Sequence, residues 1–152
     1  MKIIENKIKQ NITDFKNFKI TLNDNIFTSK NKIMGFEGIA SVNYWEAVSL
    51  LLPDEINFKN RNQKPENDVV NSMLNYGYAI LASEIAKNIV TLGLDPYCGL
   101  LHADLKRRQS LIFDLIEEFR QQIVDKTVFK LINTNQINET NIDKRNNSLK
   151  LE

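Results

Sequence analysis

The hydrophobic and polar positions of the chain alternate with the period of an α-helix in four separate stretches. The first stretch predicts an amphipathic helix over residues 2–17. Its apolar face comprises Ile4, Ile8, Ile12 and Phe15. Residues 18–31 are polar, and the second stretch predicts a helix from about Lys32 to Leu52, which Pro53 ends.

The third stretch, residues 69–92, gives the clearest helix, with Asn67 or Asp68 as its cap. Nearly every position between Met73 and Ala86 is apolar or small, which predicts a helix buried on most sides. Glycine costs a helix interior about 1 kcal/mol relative to alanine. Gly77 in this run therefore predicts a close approach by another helix.

The fourth stretch predicts a helix from about residue 111 to 132, capped by Ser110. Its apolar face comprises Leu111, Ile112, Leu115, Ile116, Phe119 and Ile123. Residues 133–152 are polar and lack a hydrophobic period, so we expect a tail that is disordered or ordered by a partner. This pattern divides the chain into a helical domain, residues 1–132, and a polar tail.

Composition supports an all-α fold, because only 5 Gly and 3 Pro interrupt 152 residues. The formal net charge is +1, so any binding to nucleic acid must depend on a local basic patch. The single cysteine, Cys98, excludes an internal disulfide and a cysteine-rich zinc site, and its residue type predicts burial. No apolar run approaches the roughly 20 residues that span a bilayer. We therefore expect a cytoplasmic protein without a membrane segment.

The only histidine, His102, follows a turn-rich loop that begins at Gly93. Asp114 and Glu117 come shortly afterwards, three positions apart and therefore on one helix face. A histidine near carboxylates can hold a divalent metal ion. Two ordinary alternatives remain, a solvated acidic face and a partly buried, hydrogen-bonded histidine.

Glu37 stands between Gly35 and Gly38, in what the pattern predicts to be the first turn of the second helix. The positive end of a helix dipole favours a carboxylate there, which is also the simplest explanation for it. Basic residues that could hold phosphates occur in the loop before the third helix and in the loop before the fourth helix. They are Arg61, Lys64, Lys106, Arg107 and Arg108.

Polar groups also occur on the third helix, at Asn71, Asn75 and Tyr76. Buried polar groups need hydrogen-bond partners. They either form hydrogen bonds with neighbouring elements in the core or orient metal ligands by forming hydrogen bonds with them.

The order of these features resembles the C-terminal catalytic domain of the CRISPR adaptation integrase, the larger of the two widespread CRISPR-associated proteins that acquire spacers. Four segments carry the resemblance, together spanning residues 34–132. They are Met34–Ala40 with Tyr44 and Trp45, Asn71–Leu81, Gly93–His102, and Ser110–Arg120.

The resemblance implies that Glu37, His102 and Glu117 bind Mg²⁺ or Mn²⁺, with Asp114 supporting the site. It implies a metal-dependent DNA endonuclease and integrase, in which a 3′-hydroxyl attacks a phosphodiester and inserts spacer DNA into the repeat array. Attack by water would instead nick the strand. The implied partners are DNA, both as spacer precursor and as repeat array, a second copy in a homodimer, and the small second adaptation subunit.

The family's N-terminal β domain has no counterpart here, so we expect a fragment, a truncated gene product or a short variant. Two alternatives follow. One is a non-catalytic helical interaction module, or an inactive fragment of such an integrase. The other is a transposon-borne relative with the same chemistry.

Overall fold

The computed structural model describes residues 2–21, 24–63, 68–102 and 108–137, together with the backbone of 142–143 and 148–149. Its secondary structure confirms the all-α class, with one pair of two-residue strands near the C-terminus. The chain forms two compact units, Met1–Leu51 and Leu52–Glu152.

The first unit is a helical hairpin of α1 (Lys2–Asn17) and α2 (Ile26–Ser49). The ring of Phe36 on α2 meets the rings of Phe15 and Phe18, each at a centroid distance of 5.7 Å. A salt bridge of 3.1 Å between Lys7 Nζ and Glu46 Oε2 also joins the two helices. The prediction for α1 is confirmed.

The start predicted for α2 is wrong. Asn25 caps the helix by accepting a hydrogen bond from the Phe27 amide, so α2 begins at Ile26 rather than near Lys32. Ile26 and Phe27 are 86% and 63% exposed, and the buried residue of the first turn is the polar Ser29, so an apolar pattern could not indicate this start. Glu37 therefore lies well inside α2 and not in its first turn.

The second unit begins with a short 3₁₀ turn, Asp54–Ile56, and a loop that leads to α3 (Val69–Thr91). Asp68 caps α3 by accepting a hydrogen bond from the Asn71 amide, as predicted. The prediction that α3 is buried on most sides is wrong, because Tyr76 and Ile80 are 59% and 50% exposed.

The predicted fourth helix is interrupted. The chain forms α4 (Ser110–Phe119), a π-helical segment (Arg120–Asp125) and α5 (Lys126–Asn133). Phe119 and Ile123, predicted to be apolar-face residues, are 45% and 50% exposed. For Ile123 the reason is the π-helical segment, which changes the spacing from Arg120 onwards. Val124 is buried instead, and α5 continues that buried face.

Residues from α3, α4, the π-helical segment and α5 form the core of the second unit. They are Val69, Val70, Met73, Leu74, Tyr78, Ile85, Ile89, Ile112, Ile116, Val124, Val128 and Ile132. A Cβ atom on Gly77 would lie 2.5 Å from Val124 Cγ1. This confirms that Gly77 permits a close approach, here between α3 and the π-helical segment.

Near the C-terminus, β1 (Ile142–Asp143) pairs antiparallel with β2 (Ser148–Leu149). The proposed tail falls partly outside the described residues, at 138–141, 144–147 and 150–152. The boundary at residue 132 therefore stays a prediction. No helix within the described ranges combines the length and apolar character needed to cross a membrane.

Candidate catalytic site around His102

The loop that carries His102 begins with a tight turn that ends α3. Gly93 adopts a φ of 70°, and its amide donates to the Val90 carbonyl while the Leu94 amide donates to the Ile89 carbonyl. This pair of bonds satisfies the last carbonyls of α3 and turns the chain sharply. Glycine suits the position because side chains disfavour a left-handed backbone.

Ser110 fastens the middle of this loop to the start of α4. Its hydroxyl donates to the Tyr97 carbonyl at 2.8 Å and accepts from the Gly99 amide at 3.0 Å. A Cβ atom on Gly99 would lie 2.5 Å from the Ser110 carbonyl carbon, so only glycine fits there. The prediction that Ser110 caps α4 is wrong, because its hydroxyl is used by the loop and Gln109 precedes the first turn without a side-chain cap.

Asp114, one turn further along α4, fastens the end of the loop. Its Oδ2 accepts from the amides of Leu100 and Leu101, the latter at 3.1 Å, and its Oδ1 accepts from the His102 amide at 3.1 Å. Oδ1 also lies 2.6 Å from Nδ1 of the His102 ring. One carboxylate therefore fixes three successive amides and the imidazole.

These contacts set the ionisation of Asp114 and the tautomer of His102. Burial alone would raise the pKa of Asp114, but hydrogen bonds from the His102 ring and the three amides outweigh it and lower the pKa. An ionised carboxylate can only accept, so Nδ1 of His102 carries the proton. In the neutral ring, Nε2 then has a lone pair that can bind a metal ion.

Glu117 lies one turn beyond Asp114 on the same helix. Its Oε1 is 2.9 Å from Nη1 of Arg120, and its Oε2 is 3.3 Å from the same nitrogen. Imidazole and carboxylate are suitable ligands for Mg²⁺ or Mn²⁺. Among the described residues of the second unit, no three His, Cys, Asp or Glu side chains, His102, Asp114 and Glu117 included, form a group that could hold a metal ion.

Glu37 belongs to the first unit, where it is exposed on α2. Cβ atoms on Gly35 and Gly38 would meet no atom within 4 Å, so the backbone beside Glu37 is open. Its role as a metal ligand stays a prediction.

Asn71 and Asn75 organise the loop before α3. Asn71 is fully buried and donates to the Asn60 carbonyl at 2.9 Å, while its Oδ1 accepts from Arg61 Nη1 at 2.9 Å. Asn75 Oδ1 accepts from Nη2 of Arg61. The guanidinium of Arg61, predicted to hold phosphates, thus donates within the protein.

The guanidinium carbon of Arg61 also lies 5.3 Å from the ring centroid of Tyr78, a ring that Arg120 contacts as well. The role of the two asparagines in orienting metal ligands stays a prediction. Tyr76, predicted with them as a supporting residue, is exposed.

Arg108 is exposed and lines an open cleft of about 440 Å³ between α3 and α4. Tyr97 and Phe113 line the same cleft, and the Phe113 ring centroid lies 6.5 Å from that of His102. Lys64, Lys106 and Arg107 lie outside the described residues. Cys98 is exposed, which contradicts its predicted burial.

Sequence reasoning missed Arg120 and Asp125. The spacing of Arg120, three residues after Glu117 on a helix, is the ordinary signal of an ion pair. Asp125 is 1% exposed and interrupts an apolar pattern that the π-helical segment had already shifted. No helical period would have identified it.

Comparison with known proteins places these features in a family. The family model of the CRISPR associated protein Cas1 matches residues 2–152. A CRISPR-associated protein Cas1 of Methanobrevibacter ruminantium is 53% identical over 152 residues, which are all of this chain and 46% of that protein. A CRISPR-associated endonuclease Cas1 of Archaeoglobus fulgidus is 46% identical over 77% of this chain and 36% of its own length.

The fold is also found in solved structures. A casposase bound to an integration product matches 99% of this chain and 44% of its own, with a TM-score of 0.73 and 32% identity. A Cas6-RT-Cas1–Cas2 complex matches 92% of this chain and 15% of its own, with a TM-score of 0.71 and 25% identity. The chain thus spans less than half the length of these relatives.

Proposed function

Because the chain belongs to the Cas1 family of CRISPR-associated proteins, we propose that it carries the catalytic site of a metal-dependent DNA integrase and endonuclease of CRISPR adaptation. The observation that carries the proposal is the fixation of His102 by Asp114, which holds one ring nitrogen and leaves the other with an acceptor lone pair. Metal-binding histidines in proteins are commonly held by a carboxylate in this way.

The ligands in this proposal are Glu37, His102 and Glu117, and the ion is Mg²⁺ or Mn²⁺. The set of one imidazole and two carboxylates suits either ion. When bound, such an ion polarises a phosphodiester and activates a hydroxyl or water nucleophile.

The chain's own residues supply position and charge. Asp114 keeps the His102 ring in one orientation and one tautomer, so no ordering is needed when substrate arrives. Arg108, with Lys106 and Arg107 beside it and Lys64 in the other loop, would hold phosphates without reading sequence. Tyr97 and Phe113 offer aromatic faces in the cleft beside Arg108, a combination that suits a nucleic-acid strand.

The partners in the proposal are spacer DNA, the repeat array, a second copy of the chain and the small second adaptation subunit. The similarity to the Cas1 part of a complex that includes Cas2 supports the last of these. Joining two DNA ends at a fixed separation requires two sites, which supports a homodimer.

The test supplies this segment within an otherwise complete integrase, together with its partner subunit, and measures Mn²⁺-dependent joining of a spacer duplex to a repeat-containing plasmid. We expect Glu37→Ala, His102→Ala and Glu117→Ala each to abolish joining while DNA binding is largely retained. Glu118→Ala, an exposed acid beside Glu117, is the matched control and should join normally. Full joining by His102→Ala would instead favour the non-catalytic interaction module.

The similarity to a casposase bound to an integration product supports a second candidate, a transposon-borne relative with the same chemistry. Identity is higher to the Cas1 of Methanobrevibacter ruminantium, at 53% against 32%, which favours CRISPR adaptation. Joining to a target without a CRISPR repeat, at the rate seen with one, would reverse this preference.

A further inference from the structure

Glu117, a proposed metal ligand, is already paired with a cation of the protein. Both of its carboxylate oxygens lie within 3.3 Å of Nη1 of Arg120. The two side chains are 36% and 34% exposed, so the pair sits at the surface of the second unit, partly screened by water. A divalent ion that binds Glu117 must therefore compete with a guanidinium.

Arg120 also contacts Tyr78. Its guanidinium carbon lies 4.5 Å from the centroid of the Tyr78 ring, within the range of a cation–π contact. The Tyr78 hydroxyl donates to Oδ1 of Asp125, which is 1% exposed. Burial raises the pKa of Tyr78, and the hydrogen bond to Asp125 raises it further, so the hydroxyl stays a donor. Arg120 thus has a contact with the Tyr78 ring that does not involve Glu117.

The π-helical segment positions Arg120 at the Tyr78 ring. In a regular α-helix, residues five apart point about 140° away from each other. Arg120 and Asp125 are the first and last residues of the π-helical segment, and both reach Tyr78. Single turns of π-helix occur frequently at functional sites.

In this position, the hydrogen bonding of Arg120 is incomplete. Within the described residues, its Nε is buried and has no hydrogen-bond partner. A buried donor without a partner costs stability, which argues against a role limited to holding the fold together. Arg61, on the same ring, differs because its nitrogens donate to Asn71 and Asn75.

We propose that Arg120 is a positioning residue for Glu117, one that pairs with its carboxylate in the metal-free state and yields it to a divalent cation. The inference rests on the proposed function, because it takes Glu117 to be a metal ligand. On release, Arg120 remains on the Tyr78 ring, and its charge continues to oppose that of the ion. Arg120 therefore keeps metal affinity lower than the ligands alone would give.

The test measures binding of Mn²⁺ alone to the full 152-residue chain by calorimetry, with folding checked by circular dichroism. We expect Arg120→Gln to tighten binding about three- to tenfold, from loss of a partly exposed ion pair and of repulsion between like charges. Arg120→Lys keeps the charge and should bind about as the unaltered chain does. Arg120→Met keeps the aliphatic contact with Tyr78 and repeats the test if Arg120→Gln does not fold.

The matched control is Lys126→Gln, which removes one exposed positive charge from the start of α5 and should leave the affinity within about twofold. In a Glu117→Gln background, Arg120→Gln should have a smaller effect, because the competition for that carboxylate is gone and only the repulsion between the guanidinium and the ion remains. Unchanged or weaker binding by both neutral Arg120 variants, with His102-dependent binding intact, overturns this inference alone. Binding that does not depend on His102, or no binding at all, overturns the proposed function and this inference together.

Discussion

Asp114 joins a loop to a helix through both oxygens of one carboxylate. An asparagine there would present N–H groups to main-chain donors, so we expect Asp114→Asn to lower the free energy of unfolding by about 1–3 kcal/mol at neutral pH. The native pKa of Asp114 is lowered, so its contribution is present above the ordinary value of 3.8 and is lost as pH falls through the lower native value. Urea denaturation across this range should show the difference between the two proteins shrinking in acid. A difference that does not change with pH would contradict the role of an ionised Asp114.

Gly99 is a second single-residue constraint on the same loop. Gly99→Ala would place a methyl group 2.5 Å from main-chain carbon of Ser110, so we expect destabilisation by about 1–3 kcal/mol or more. Gly35→Ala is the control, because the space around Gly35 is open and alanine should stabilise α2 by about 0.5–1 kcal/mol. Denaturant midpoints measure both changes. Equal effects of the same sign would show that crowding at Ser110 is not what requires glycine.

At the scale of elements, α3 and the π-helical segment come into close contact at Gly77 and Val124. Gly77→Ala brings a methyl group within 2.5 Å of Val124 Cγ1, and Val124→Ala removes that methyl group. We expect each single change to destabilise the protein and the double change to cost less than their sum, with a coupling of about 0.5–3 kcal/mol. Val128→Ala, at another buried valine, should combine additively with Gly77→Ala. Additive behaviour of the Gly77 and Val124 pair would contradict the close contact.

The elements also show which features the sequence could predict. The apolar period located α1 and α3, because both are regular and capped or patterned from their first turn. It missed the start of α2, where the apolar residues Ile26 and Phe27 are exposed, and the π-helical segment, whose spacing differs from the α-helical period. For the site, the spacing predicted Asp114 and Glu117 on one face. It could not predict that Asp114 holds the loop, because the path of a loop is not encoded in helical spacing.

At the scale of the whole molecule, the proposed ligands come from both compact units. A ligand that binds only the native state at about 100 times its dissociation constant stabilises it by about 2.7 kcal/mol. The single tryptophan, Trp45, is buried in the first unit and reports its unfolding by fluorescence. We expect saturating Mn²⁺ to raise the Trp45 transition temperature, and His102→Ala, in the second unit, to remove the increase. A Trp45 transition temperature that does not change with Mn²⁺ would mean that Glu37 does not bind the ion together with His102.

The anchoring of His102 through main-chain amides separates two kinds of positions in the evolution of this loop. Asp114 recognises peptide groups at Leu100 and Leu101, and Leu100 is 83% exposed, so the identity of its side chain does not affect the anchor. Substitutions can accumulate there without moving the histidine, with proline excluded because it lacks the amide hydrogen. Gly99 and Ser110 have no such freedom, because crowding and hydroxyl geometry determine their residue types. Within this loop, the anchor therefore constrains the side chain at Gly99 and leaves that at Leu100 unconstrained.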